Sequence, residues 1–209
     1  MDQSFELFRS FAVQMFILVD PIVAVPIFLA ITPRNSVAER QSMARRGCSV
    51  AFLVIAFFLL LGPLLLNYFG VTTPAVQICG GILLFVIALE MLYGRPTQTV
   101  TTPEEEQLAG QKEDISITPL AIPMLSGPGA ITTCLIFAKK ADGFADYLAL
   151  LLAAALIFAG TYWLMLRAEA VKRWLGSLGL TIVTRVMGLV LAFIAIQYAI
   201  DGVHTVLGS

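Results

Sequence analysis

Apolar residues run along the chain in six long blocks separated by polar joints. The blocks cover approximately Phe5–Ile31, Gly47–Tyr68, Pro74–Tyr93, Ile115–Ala138, Tyr147–Leu166 and Thr181–His204. A bilayer core about 30 Å thick needs roughly 20 apolar helical residues, and every block is near that length. The pattern predicts an all-α polytopic membrane protein with six transmembrane helices. The joints are short except Gly94–Asp114, which carries Pro96, Pro103, Glu104, Glu105, Glu106 and Glu113 and reads as a solvated, flexible linker. The opening MDQSFELFRSF has no strongly basic n-region, and no A-x-A site follows a short apolar core. It reads as an uncleaved helix and not as a signal peptide.

Composition agrees with the pattern. Of the 209 residues, 58% are hydrophobic and 13% charged, against roughly 45–50% and 25% in soluble domains. The mean hydropathy of +0.88 excludes a disordered chain, a disulfide scaffold and a soluble enzyme. Thirteen basic and 14 acidic residues leave no surplus for nucleic acid, so membrane lipid is the expected surrounding partner. Cys48, Cys79 and Cys134 are too far apart for a zinc or redox pair, and His204 is the single histidine. No metal site and no cofactor are expected beyond a coupling proton or sodium ion.

The positive-inside rule sets the orientation. Joints after blocks 1, 3 and 5 hold Arg34, Arg40, Arg45, Arg46, Arg95, Lys112, Arg167, Lys172 and Arg173; the opposite side holds Arg9, Lys139 and Lys140. Nine against three predicts both termini on the outer side of the membrane and the acidic linker in the cytoplasm.

Folded on itself with an offset of 107 residues, the chain aligns Asp20-Pro21 with Gly127-Pro128, and Gly80–Glu90 with Met187–Gln197. Gly81 then matches Gly188, Leu84 matches Leu191, Ile87 matches Ile194 and Ala88 matches Ala195. The domain reading is repeat 1 over residues 1–94, a cytoplasmic linker over 95–114, and repeat 2 over 115–209. Three spans per half make the second half enter the membrane from the opposite side, an inverted repeat of the kind transporters use.

The same alignment marks breaks in helices 1 and 4. Asp20-Pro21 interrupts FILVDPIVAVPIF, and Pro119, Pro123, Gly127, Pro128 and Gly129 crowd eleven residues of block 4. Proline removes a backbone donor and clashes with the preceding turn. The freed groups cannot face lipid and must line protein or a water-filled cavity. Breaks in corresponding spans predict a central binding site. A half-helix starting near Gly127 would aim N–H groups and a positive dipole end at a carboxylate or phosphate, with Ser126, Thr132 and Thr133 adding hydroxyls. Each of these residues also has a packing explanation, because proline and glycine are common in membrane helices.

Asp20 lies within a span, where an ionised carboxylate costs a few kcal/mol or more. It is the candidate for carrying a coupling cation, and equally a helix cap with proline at the first helical position. Arg185 opens the last block and either snorkels to the headgroups or reaches inward to a substrate carboxylate or Asp20. Glu90 and its repeat partner Gln197 read as helix-end or interhelical polar groups. Glycine and alanine faces such as Gly80-Gly81 and Ala153–Gly160 permit close helix approach, and with it a homo-oligomer.

FILVDPIVAVPIF (Phe16–Phe28), GGILLFVIALEML (Gly80–Leu92), TPLAIPMLSGPGAIT (Thr118–Thr132) and TRVMGLVLAFIAIQYAIDG (Thr184–Gly202) resemble the MarC family of bacterial and archaeal inner-membrane proteins, which includes small neutral amino acid transporters. The resemblance runs essentially end to end. It implies six spans, both termini outside, and a place beside the exporters of the LysE superfamily. It also implies transport of glycine, alanine and other small neutral amino acids on a proton or sodium gradient. Asp20 and Pro21 match the family's first broken-helix motif, Gly127, Pro128 and Gly129 the second, and Arg185 the motif of the sixth span.

The expected function is therefore secondary transport of a small neutral amino acid such as glycine, alanine or serine. The substrate would sit against Asp20, Pro21, Ser126, Gly127, Pro128, Gly129, Thr132 and Arg185. The alternative is an exporter or channel for another small solute. An intramembrane enzyme is disfavoured: Asp20 has no deep carboxylate partner except Glu90, His204 sits at the wrong end of the bundle for a serine hydrolase, and no phosphate-binding GxxxxGK loop occurs.

Overall fold

The fold, a computed structural model, describes residues 2–32, 35–94, 120–121 and 125–208. Among these residues there are seven α-helices and no strands. They are α1 (Asp2–Val19), α2 (Pro21–Ile31), α3 (Val37–Tyr68), α4 (Thr73–Tyr93), α5 (Pro128–Lys140), α6 (Phe144–Leu166) and α7 (Ala168–Leu207). Among the described residues five stretches are long and apolar enough to cross a bilayer: Gln3–Leu29, Val37–Tyr68, Thr73–Tyr93, Phe144–Leu166 and Leu178–Leu207. The predicted fourth span, Ile115–Ala138, and the linker over 95–114 lie largely outside the described residues. Of that span, α5 carries the second part.

Local chemistry sets the helix ends. The second span begins well before the expected Gly47, because Ser36 and Glu39 form a reciprocal capping box at the start of α3. Thr72 caps α4 through the Ala75 N–H, with Pro74 in the first turn, and left-handed Gly94 ends it. The last helix also starts earlier than the expected Thr181. It is interrupted at Gly176, whose φ of 62° and ψ of −179° lie in a region open essentially to glycine alone. Proline alone does not break these helices: Pro26 lies inside α2 and Pro63 inside α3.

Two buried clusters hold the bundle together. One joins α1, α2, α3, α5 and α6 through residues such as Phe11, Met15, Phe28, Ile55, Leu59 and Leu150. The other is built mainly from α4 and α7, with Leu84, Ala88, Leu191 and Ala195 at its centre. Outward-facing side chains are also apolar. Leu53, Leu64, Ile82, Leu156 and Phe193 are all more than half exposed, a surface that suits lipid and not water.

The approach of α4 and α7 is reciprocal. A methyl group on Gly81 would lie 2.7 Å from the Ala195 carbonyl oxygen and 3.0 Å from the Ala199 nitrogen. A methyl group on Gly188 would lie 3.1 Å from the Ala88 carbonyl oxygen and 3.3 Å from the Leu92 nitrogen. Subtracting the 107-residue offset from Ala195 and Ala199 gives positions 88 and 92. The two glycines therefore make the same contact in exchanged roles. Gly202 meets Pro74 and Gln77, so position along α4 rises as position along α7 falls, and the pair is antiparallel. Other contacts obey the same exchange. α2 packs on α6 and α5 on α3; α2 packs on α7 and α5 on α4.

Polar contacts join the first three helices to the last three at both ends. Gln3 donates to Asp142 (3.1 Å), Ser4 to Asp146 (2.5 Å) and Lys139 to Asn67 (3.0 Å). At the other end, Arg40 donates twice to the Thr32 carbonyl, at 3.0 and 2.8 Å, and pairs with Glu169 at 3.3 Å.

Candidate functional site

The site begins with one strained residue. Asp20 separates α1 from α2 with φ 41° and ψ 66°, the one non-glycine residue at positive φ among those described. Asp and Asn tolerate this left-handed conformation better than other side-chain-bearing residues. Pro21 follows at the first helical position, where its missing N–H costs nothing. One Asp20 oxygen accepts from the Val23 N–H at 3.3 Å. The other, Oδ2, is buried and has no hydrogen-bond partner among the described residues. Asp20 is thus a cap, as one sequence reading had it, with half of its carboxylate left over. An unsatisfied buried acceptor carries a desolvation penalty of roughly 1–3 kcal/mol.

The second break has the same register without a side-chain cap. Gly127 is extended (φ −72°, ψ 174°), Pro128 opens α5, and among the described residues no side chain caps this helix. The Ile131 N–H donates to the Gly127 carbonyl at 3.1 Å, just as the Ala24 N–H donates to the Asp20 carbonyl at 2.9 Å. Buried Ser126 turns back on its own segment: its backbone N–H and its hydroxyl both donate to the Ala121 carbonyl, at 3.0 and 2.8 Å. Its hydroxyl proton is therefore already placed.

Helix packing links the segments that flank the two breaks. A methyl group on Gly129 would lie 2.8 Å from Leu84 and 3.1 Å from Leu18. Leu18 precedes Asp20 by two residues and Gly129 follows Gly127 by two, so the end of α1 rests on the start of α5. Thr132 is buried with its methyl against Gly80, where an added Cβ would come within 2.0 Å of it. The threonine's immediate role here is packing α5 on α4.

Arg185 is not part of this assembly. It is exposed, on the part of α7 beside the last turns of α4, and no ion pair joins it to Asp20 among the described residues. Gln197 donates to Asp201 at 2.6 Å on the exposed face of α7. Glu90 is half-buried near the end of α4.

Residues 5–207 match the family described as MarC family integral membrane protein. The chain belongs to the MarC family. Similar proteins include a UPF0056 membrane protein of Methanocaldococcus jannaschii, 36% identical over 91% of this chain and 92% of the relative. YvbG, a UPF0056 membrane protein of Bacillus subtilis, is 32% identical over 88% of each chain. A UPF0056 membrane protein of Buchnera aphidicola from Schizaphis graminum is 34% identical over 98% of this chain and 95% of its own. No solved structure matches. The family and the apolar helices together make this an integral, multi-pass membrane protein.

In this MarC-family fold, sequence reasoning passed over one polar cluster. The Tyr198 hydroxyl of α7 donates to the Gln14 side-chain oxygen of α1, and fully buried Thr133 of α5 lies beside it. The offset of 107 residues pairs Gln14 with Ala121 and Tyr198 with Met91. A search for symmetric polar positions therefore misses it. The usable signal was a glutamine and a tyrosine within apolar helices, each needing a hydrogen-bond partner.

Proposed function

We propose that this protein is a secondary transporter of small neutral amino acids such as glycine, alanine or serine, driven by a proton or sodium gradient. One observation carries the reading: two proline-opened helix starts stand in the same register of two matching segments, Leu18 packs beside Gly129 to link those segments, and one start holds a buried carboxylate with an unused oxygen. The reciprocal, antiparallel α4–α7 contact supports an inverted repeat of six spans, because a two-fold axis relating antiparallel helices runs across them, in the membrane plane. α2 and α5 then start at mid-depth and run to opposite faces.

The two starts divide the work. Asp20 already occupies the N-terminus of α2, whereas α5 has no side-chain cap. A substrate carboxylate fits the α5 start, where N–H groups and the helix dipole favour an anion by roughly 0.3–1 kcal/mol, or more when partly buried. The substrate ammonium or the coupling cation fits the free Asp20 oxygen. A second carboxylate brought beside an ionised Asp20 is repelled unless a proton or cation arrives with it, and this requirement couples the two fluxes. Leu18, Leu84 and Ile87 close tightly around Gly129, and tight packing of this kind favours a substrate with a small side chain. The Lys and Arg count supports an orientation with both termini outside.

The test is uptake of labelled glycine, alanine and serine into proteoliposomes under imposed proton or sodium gradients. Uphill accumulation is expected, with loss in Gly127→Leu and loss of gradient dependence in Asp20→Asn. Failure to move any of the three under either gradient overturns the proposal.

A further inference from the structure

Away from the breaks, α3 and α6 enclose a groove of about 380 Å³. Its lining changes character along its length. Arg45, Ser49 and Tyr162 lie toward the end where α3 begins and α6 finishes, and Phe52, Leu53 and Ala155 lie nearer mid-span. From Arg45 to Leu53 the helix advances roughly 12 Å at about 1.5 Å per residue. The Phe52 and Phe158 rings meet edge-on at 6.4 Å across the two helices. Arg45 is exposed and forms no ion pair among the described residues.

We propose that this groove binds one anionic phospholipid. Its phosphate sits against Arg45, with the Ser49 and Tyr162 hydroxyls as further donors, and an acyl chain lies along Phe52, Leu53 and Ala155. Charge complementarity selects the occupant. Arg45, the one charged residue in the groove's lining, stands at the membrane boundary above an apolar trough and repeats the polarity gradient of a lipid that has a net negative head. A zwitterionic lipid brings its own cation and gains less from Arg45. Basic pockets between membrane helices recognise anionic headgroups in this way. The site does not depend on the transport reading; only the naming of its leaflet as cytoplasmic rests on the Lys and Arg count.

Native mass spectrometry of the full chain in detergent, with phosphatidylglycerol or phosphatidylcholine of identical acyl chains, tests the proposal. Phosphatidylglycerol is expected to bind about five-fold better, equivalent to about 1 kcal/mol at about 1.4 kcal/mol per factor of ten. Arg45→Gln should bring the ratio close to one, whereas Arg173→Gln should leave it unchanged. Ala159→Trp, which fills the groove, should weaken both lipids. Equal binding of the two lipids, or a preference that survives Arg45→Gln, overturns the proposal. Displacement of the lipid by inorganic phosphate overturns it too, because the occupant would then be a free anion.

Discussion

Replacing Gly81 by alanine sets a methyl group against backbone. The new Cβ would lie 2.7 Å from the Ala195 carbonyl oxygen and 3.0 Å from the Ala199 nitrogen. Neither atom belongs to a side chain that can rotate away, so α4 and α7 must separate by a few tenths of an ångström. Overpacking of this kind costs about 1–3 kcal/mol. The same change gains up to about 1 kcal/mol of helix propensity. Gly160→Ala on α6 is the control: it has the same chemistry and none of the described residues within 4 Å, so it keeps the gain without the clash. The difference between the two variants isolates the clash, expected at about 1–3 kcal/mol. Gly188→Ala places its methyl 2.8 Å from the Met91 Cβ and 3.1 Å from the Ala88 oxygen, and should cost about as much as Gly81→Ala. In the double variant the second methyl meets helices already pushed apart, so its effects should fall short of the sum by about 0.5 kcal/mol or more. Equilibrium unfolding in mixed micelles, titrated with a denaturing detergent, measures all four proteins. If Gly81→Ala proves as stable as Gly160→Ala, the close antiparallel approach of α4 and α7 is refuted.

Asp20→Asn should fold nearly as stably as the parent, since asparagine also caps helices and tolerates positive φ; Asp20→Ala should lose about 1–2 kcal/mol for the cap and more for the left-handed backbone, read in the same unfolding assay. Equal stability of the two variants would show that the cap contributes nothing. Gly80→Ala drives a methyl into the Thr132 methyl at 2.0 Å and should cost about 1–3 kcal/mol, with most of that recovered in Gly80→Ala/Thr132→Ala. A double variant no more stable than the single one would rule out that contact as the cause.

Much of the chain's plan is written locally. Apolar block length dictates the spans, because a single segment satisfies its own backbone hydrogen bonds in lipid only as a helix. Asp20-Pro21 and Gly127-Pro128 announce helix starts through residue chemistry that acts within one turn. The early start of α3 is equally legible in Ser36 and Glu39, polar residues to which block length is blind. What the sequence could not supply is which face of each helix meets which neighbour. Lipid and the inside of the bundle are both apolar, so hydropathy does not distinguish Leu84, fully buried, from Ile82, more than half exposed. Only the tertiary structure put Leu18 against Gly129, joined Gln14 to Tyr198 across most of the chain, and left Arg185 outside the breaks it had been expected to serve. Those contacts depend on helix rotation and depth, which are set by the close packing of glycine and alanine faces and not by the order of residues along any one helix.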